Sequence, residues 1–323
     1  MPTSTRKQIR DNILSTEQQL DAQIGDLVED YINLTLREIN NPGWALGGGR
    51  HHLWSFLKRK TTFATVSGTE DYVMERDVDK IAVLRQTSTD IKLKQVPDEI
   101  FFNDIPDPTA SGSPRLYRQW EIEGVSTRLA SADEVDVVSS SASDGTSFTA
   151  TVLGYVSGRL ISEVYTLNGT TTVNGSNTFD ARELFVAKSG VTTGNITFSK
   201  DSDASTLVVL GPQETSPRFK VITLYPKPDS AITMYLEYYK TIRELFNDSD
   251  VPEFHEKWHY VVRLGALAKC YQHLGKTTDF IAAQGNFAAA VRSMVADDTT
   301  NPDYVSYLRR RYIEPVLVLR RDV

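Results

Sequence analysis

Residues 255–259 read His-Glu-Lys-Trp-His, so His255 and His259 stand four apart with Glu256 beside the first. On an α-helix this spacing brings two imidazoles to one side, where they could share a zinc ion while Glu256 takes a proton from a metal-bound water. A hydrolytic zinc centre needs a third protein ligand. His273 lies about four turns further along what reads as the same helix, too far to curl back. Glu163 and Glu183 would have to come from a distant loop. The longer pattern H-E-x-x-H-x-x-G-x-x-H is not met, because positions 262 and 265 hold Val and Gly. The competing reading is a helix surface with half-buried histidines and no metal.

Other short motifs weaken in the same way. Leu274-Gly275-Lys276-Thr277-Thr278 contains the end of a phosphate-binding loop, but Cys270 occupies the place of the required first glycine and a helix stands where a strand should precede. A helix C-cap at Gly275 explains the segment. Gly47-Gly48-Gly49 reads as a hinge. His51-His52 beside Lys58-Arg59-Lys60 forms a small basic patch, either a solvated face or a contact for a partner or a DNA phosphate. Cys270, the only cysteine, falls on the apolar side of its helix and reads as core. The tail is basic and aromatic. Tyr304, Tyr307, Arg309, Arg310, Arg311 and Tyr312, with Arg320 and Arg321 closing an apolar Val-Leu-Val-Leu run, have the composition of an interface arm.

The chain that must position these residues has 323 residues and a formal net charge of -7. That charge disfavours tight duplex binding but suits a wall past which DNA slides. One cysteine excludes an internal disulfide framework. The first residues do not read as a signal peptide, and no apolar run is long enough for a membrane span. No cofactor is expected.

Hydrophobic periodicity predicts a helix over 15–40, capped by Ser15 or Thr16, with a shorter helix before it near 5–14. Trp44, Leu53, Trp54, Phe56 and Leu57 are expected to pack beneath it. From about Thr61 the period becomes two, predicting strands over 61–66, 70–74, 79–86, 90–96 and 115–125, with a helical turn at 97–104. Residues 128–213 are rich in Ser, Thr, Gly and Val, with turn signals every 8–12 residues or so. They read as a β-sandwich inserted into a host; the immunoglobulin cysteine pair is missing, so the pattern itself supports only the general sandwich class. The host resumes over 214–298 with a strand, a proline-bearing turn and a strand. A long helix follows, with Pro252 near its first turn, and then a second helix over 277–296 whose apolar set is Phe280, Ile281, Phe287, Ala290, Val291 and Met294. Residues 299–323 form the arm. The fold class is α+β: a helical core with an antiparallel β meander, and an inserted all-β sandwich.

The order LREINNPGW, then LWSFLKRKTTFATVSGTEDYVMERDVDKIAVLR, then SGSPRLYRQW, then ITLYPKPDSAITMYLEYYKTIRELFNDSDVPEFHEKWHYVVRLGALAKCYQHLG resembles the head-to-tail adaptor (connector) proteins of tailed bacteriophages. The telling parts are the LYP-x-PD…YYK hairpin and the DSDVPEFH entry to the long helix, and the resemblance spans about residues 10–125 and 215–297. It implies a structural virion protein without enzymatic activity. It implies a homo-oligomeric ring, usually a dodecamer, seated under the portal protein at the head-tail interface. It also implies an extended DNA channel through which genomic DNA passes without sequence-specific binding, a platform for a tail, nozzle or stopper protein, and an arm docked on a neighbour or the portal. Relative to short adaptors this chain carries the extra sandwich, expected to be immunoglobulin-like. Two further readings stand beside this one: a virion-associated zinc hydrolase using His255, Glu256 and His259, and a receptor- or carbohydrate-binding module built on the sandwich.

Overall fold

The computed structural model describes residues 4–16, 24–46, 52–88, 91–103, 105, 107 and 109–299. They divide into two units, one drawn from 1–58 and 241–323, the other from 59–240.

The first unit is helical. Helix α1 (Arg6–Thr16) opens with a capping box. Thr5 N–H donates to Gln8 Oε1 at 3.0 Å and Gln8 N–H donates to Thr5 Oγ1 at 3.3 Å. Ser15 and Thr16 close this helix, and the Ser15 hydroxyl bonds back to Asn12 O at 3.1 Å; the start of the helix they were expected to cap lies outside the described residues. A 3-10 turn (Gly25–Leu27) leads into α2 (Val28–Asn40), whose buried face is Val28, Ile32, Thr35, Leu36 and Ile39. Residues 17–23, the first part of the expected long helix, lie outside the described residues. A short α3 (Gly43–Leu46) follows. Trp54 is buried beneath α2, and its Nε1–H donates to Ile39 O at 2.8 Å, satisfying a carbonyl in the helix's last turn. Leu53 and Trp44 instead remain 38% and 40% exposed. The unit closes with α5 (His259–His273) and α6 (Thr277–Thr299). Gly265 on α5 is where three helices meet: a Cβ there would stand 2.4 Å from Thr35 of α2 and 2.9 Å from the Phe287 ring of α6. In α6, Ile281 departs from the expected apolar set, at 64% exposed.

The second unit is β-rich. One sheet has the order β1-β13-β3, from Lys58–Ala64, Thr233–Lys240 and Val78–Gln86. Another has the order β2-β12-β5-β4, from Asp71–Val73, Phe219–Tyr225, Leu116–Glu123 and Lys94–Gln95. Helix α4 is Asp98–Asn103. The expected strand over 90–96 is reduced to the two residues of β4, which pair in parallel with β5. The expected hairpin around Pro226 does not form: β12 pairs with β2 and β5, whereas β13 pairs with β3 in the other sheet. The reason lies in β12 itself, which is apolar on both faces. Phe219 enters one core while Ile222 and Leu224 enter another, so the strand needs cover on each side rather than a lateral mate.

Strands β6 (Val135–Ser139), β10 (Ile196–Lys200) and β11 (Thr206–Leu210) form one three-stranded sheet. Strands β7 (Thr149–Val156), β8 (Arg159–Thr166) and β9 (Phe185–Lys188) form another. Both sheets feed one core that includes Val137, Val152, Tyr165, Val186, Phe198 and Leu210. The β7–β8 hairpin turns through Ser157 and Gly158, both at positive φ, 49° and 76°.

Candidate functional site: the 255–259 turn and the end of α6

The approach to α5 is set by Asp250. Its carboxylate accepts the N–H groups of Phe246 and Asn247, each at 2.8 Å. Burial would raise this carboxyl, but those donors and Arg243 outweigh it and hold it below the usual range. Pro252 therefore lies in the lead-in, not in the first helical turn as expected; Phe254 beside it is buried.

His255 has extended backbone, φ -56° and ψ 137°, and caps a 3-10 turn (Glu256–Trp258) by accepting Lys257 N–H at its Nδ1, 3.3 Å away. The α-helix begins only at His259. The i,i+4 geometry that the spacing suggests is thus not formed. His255 and Glu256 face solvent, whereas His259 is 2% exposed and both its ring nitrogens are engaged. Nδ1 accepts Ser4 N–H at 3.1 Å, which leaves Nε2 as the protonated nitrogen, donating to Phe254 O at 3.0 Å. Among the described residues no group of three His, Cys, Asp or Glu side chains is placed to hold a metal ion.

The last turn of α6 carries Asp297 and Asp298. Carboxylates at a helix C-terminus oppose the macrodipole, and each of these is held by a separate segment. Asp297 pairs with Lys257 at 2.7 Å and accepts Trp258 Nε1–H at 3.2 Å; these two bonds, Lys257 first, keep its carboxyl below the usual range. Asp298 accepts His52 Nε2–H at 2.7 Å and the Ser55 hydroxyl at 2.5 Å. Burial would raise the Asp298 carboxyl, but His52 and Ser55 outweigh it and bring it below the usual range. In this Ser-His-Asp trio the serine hydroxyl and the imidazole both donate to the carboxylate, unlike the serine-to-histidine hydrogen bond of a hydrolase triad. A cleft of about 190 Å³ lies among these groups, lined by Phe56, Phe254, His255 and Trp258.

Several expectations are thereby placed. His52 is buried at 6% exposure, edge-on to Trp54, and is not part of a solvated basic patch. Gly275, at φ +70°, ends α5 in a Schellman arrangement, with Lys276 N–H on Tyr271 O at 3.0 Å and Gly275 N–H on Gln272 O at 3.2 Å. The glycine of the Gly-Lys-Thr motif is thus a cap. Cys270 is fully buried, which pushes its thiol up to about 11. Tyr304, Tyr307, Arg309, Arg310, Arg311, Tyr312, Arg320 and Arg321 lie outside the described residues. The clamps at Asp297 and Asp298 were missed; a pair of acids against the helix dipole was the available signal. No described helix is long and apolar enough to cross a membrane.

Residues 162–311, just under half the chain, match the sequence model of the SU10 adaptor protein family. The match takes in the second part of the sandwich region, β12, β13, α5, α6 and the start of the arm; residues 10–125 fall outside it. No curated protein matches the chain. Among solved structures, a prokaryotic β-1,3-1,4-glucanase (lichenase) from a mouse hindgut metagenome is 9% identical over 36% of this chain and 69% of its own, with a TM-score of 0.10. The TRIM65 PSpry domain is 12% identical over 52% and 90%, with a TM-score of 0.10. A Bacillus licheniformis β-glucanase is 10% identical over 55% and 98%, with a TM-score of 0.11. Likenesses this slight carry no argument about fold or activity.

Proposed function

We propose that the chain is a structural adaptor of the phage virion that assembles as a ring beneath the portal, extends the DNA channel and presents a platform to the tail. The observation that carries this reading is the SU10 adaptor match over β12, β13 and the α5–α6 pair. Two structural features support it. The outward side of α6 bears Ile281 and a run of small residues, Ala282, Gly285, Ala289 and Ala296, all exposed. A Cβ added at Gly285 would meet nothing within 4 Å, so nothing among the described residues requires a glycine there. A neighbouring helix packed closely in a ring does. Asp297 and Asp298 then fix the root from which residues 299–323 leave, and that arm docks on a neighbour or the portal through its tyrosines and arginines.

In this reading residues 128–213 are an inserted, immunoglobulin-like module on the outside of the ring, where it meets tail, fibre or capsid proteins. A ring contact is heterologous, one face of a subunit meeting a different face of the next. The test is electron imaging of the full chain mixed with the portal ring of the same phage. Added ring density on the portal's outer end is expected; a portal that stays bare overturns the proposal.

A further inference from the structure

The chain is acidic overall, yet one sheet face is not. In β1-β13-β3, the side chains of Met234, Leu236, Tyr238 and Leu84 enter a core, joined by Phe63 and Leu93. Alternation sends Lys60 of β1, Tyr235 and Tyr239 of β13, and Arg85 of β3 to the opposite, solvent side. The register sets Arg85 across from Tyr235 and Lys80 across from Tyr239. Lys92, bridged to Arg85, extends the row. Lys60, Lys80 and Lys92 are exposed, and among the described residues none of the three has a carboxylate partner. Glu237, a carboxylate on this face, accepts the Tyr235 hydroxyl at 2.9 Å. Asp79, at the start of β3, is taken by Lys220 at 3.2 Å.

We propose that this face binds the phosphate backbone of duplex DNA, with Lys60, Lys80 and Lys92 as the phosphate contacts. Neighbouring strands lie about 4.8 Å apart, so the three lysines spread over a sheet surface rather than converge on a pocket. That arrangement suits a charged rod. The Arg85 guanidinium, 4.6 Å from the centre of the Tyr235 ring, adds positive charge to the same face. Lysine contacts to phosphate carry no sequence information, so the surface reads backbone and not sequence. With the rest of the chain repelling DNA, the contact is weak and salt-sensitive, as a surface past which DNA must move requires. Only its placement in a DNA channel rests on the adaptor reading; the chemistry does not.

The experiment is fluorescence anisotropy of a short labelled duplex of mixed sequence with the full chain, from low to physiological salt. It is repeated with Lys60→Glu/Lys80→Glu/Lys92→Glu and with polyglutamate in place of DNA. The three lysines are exposed, so the variant is expected to keep its far-ultraviolet spectrum and its Tm. Expected are measurable binding at low salt, at least a tenfold loss in the variant, and a salt slope reduced by roughly 2–3, about 0.9 for each phosphate contact removed. Equal binding by variant and wild type overturns the proposal. Binding of polyglutamate but not DNA overturns it too, marking the face as a protein surface. A variant that has lost DNA but still adds ring density to the portal separates this proposal from the adaptor reading.

Discussion

His259 Nδ1 accepts the N–H of Ser4 at 3.1 Å, joining residues 255 positions apart. A histidine that the sequence offers as a metal ligand is thus the tie between the N-terminal segment and the start of α5. The hydrogen bond from Nε2 to Phe254 O fixes the ring so that Nδ1 faces Ser4. Ion pairs of Arg6 with Glu29 at 2.9 Å and with Asp248 at 3.1 Å fasten the next turn of the same segment.

It follows that the two histidines of the motif differ in consequence. His259→Ala leaves Phe254 O and Ser4 N–H without partners beside a cavity, and is expected to cost about 2–3 kcal/mol. His255→Ala removes an exposed cap and is expected to cost less than about 1 kcal/mol. Urea denaturation of both variants checks this. Equal losses would refute the assigned roles, and zinc bound stoichiometrically to the wild type but to neither variant would restore the metal reading.

A second prediction concerns Glu123, at the end of β5 where the chain enters the sandwich region. Its side chain is fully buried, and burial first, then Glu183 and Asp71, push its carboxyl from 4.5 up to about 7 against a hydrogen bond from Leu184 N–H. Arg128 Nε, 2.5 Å from Oε1, works in the opposite direction. A raised carboxyl means that the folded state holds its proton more tightly than the unfolded one. The contribution of Glu123 is therefore most favourable below pH 4.5 and is lost as pH climbs to 7. The loss is on the order of 2 kcal/mol. Asp144, Glu163 and Asp298, all lowered, titrate the other way and make the whole protein weaker in acid. The readout is accordingly the difference between Glu123→Gln and wild type across a pH series of denaturant melts: the variant gains relative stability as pH rises from 4.5 to 7. A difference flat in pH would remove Glu123 as the titrating group.

Most elements were legible because their periods were clean. Strands β2, β3 and β5 and helix α6 lie within a few residues of where alternation and the 3.6-residue repeat put them. What escaped was partnership. Alternation in β12 and β13 announced two strands but not that they join different sheets, because pairing depends on which cores cover each face. The Thr5–Gln8 capping box was passed over, although its residue types and spacing stand in the sequence. His255 and His259 were read on one helix because spacing carries no record of the extended residue that caps it. The basic sheet face was invisible in sequence because Lys60, Lys80, Arg85 and Lys92 come from segments that only strand pairing brings together.

Gly275 supplies a third prediction. At φ +70° it sits in the left-handed region that costs a Cβ-bearing residue about 1 kcal/mol. Gly275→Ala is expected to lower stability by about that amount without changing the fold, since no neighbour within 4 Å would clash. Magnesium-ATP should leave the Tm of wild type and variant unchanged. A nucleotide-dependent rise lost in the variant would show a phosphate loop instead of a cap.

The last prediction separates monomer stability from assembly at one residue. Gly285 lies inside α6 with open space around its missing Cβ, so Gly285→Ala should stabilise the isolated chain by about 1 kcal/mol through helix propensity alone. If the exposed Ile281 and small-residue side of α6 packs against a neighbour, a larger group at the same position must hold that neighbour away. Gly285→Trp is then expected to fold with wild-type helix content yet fail to form rings or to add density to the portal. Ile281→Asp should do the same by placing a charge in the contact. Mass photometry of the free chain and imaging with the portal read both outcomes. Rings that form normally from Gly285→Trp would remove α6 from the subunit interface and leave the adaptor reading to find another contact face.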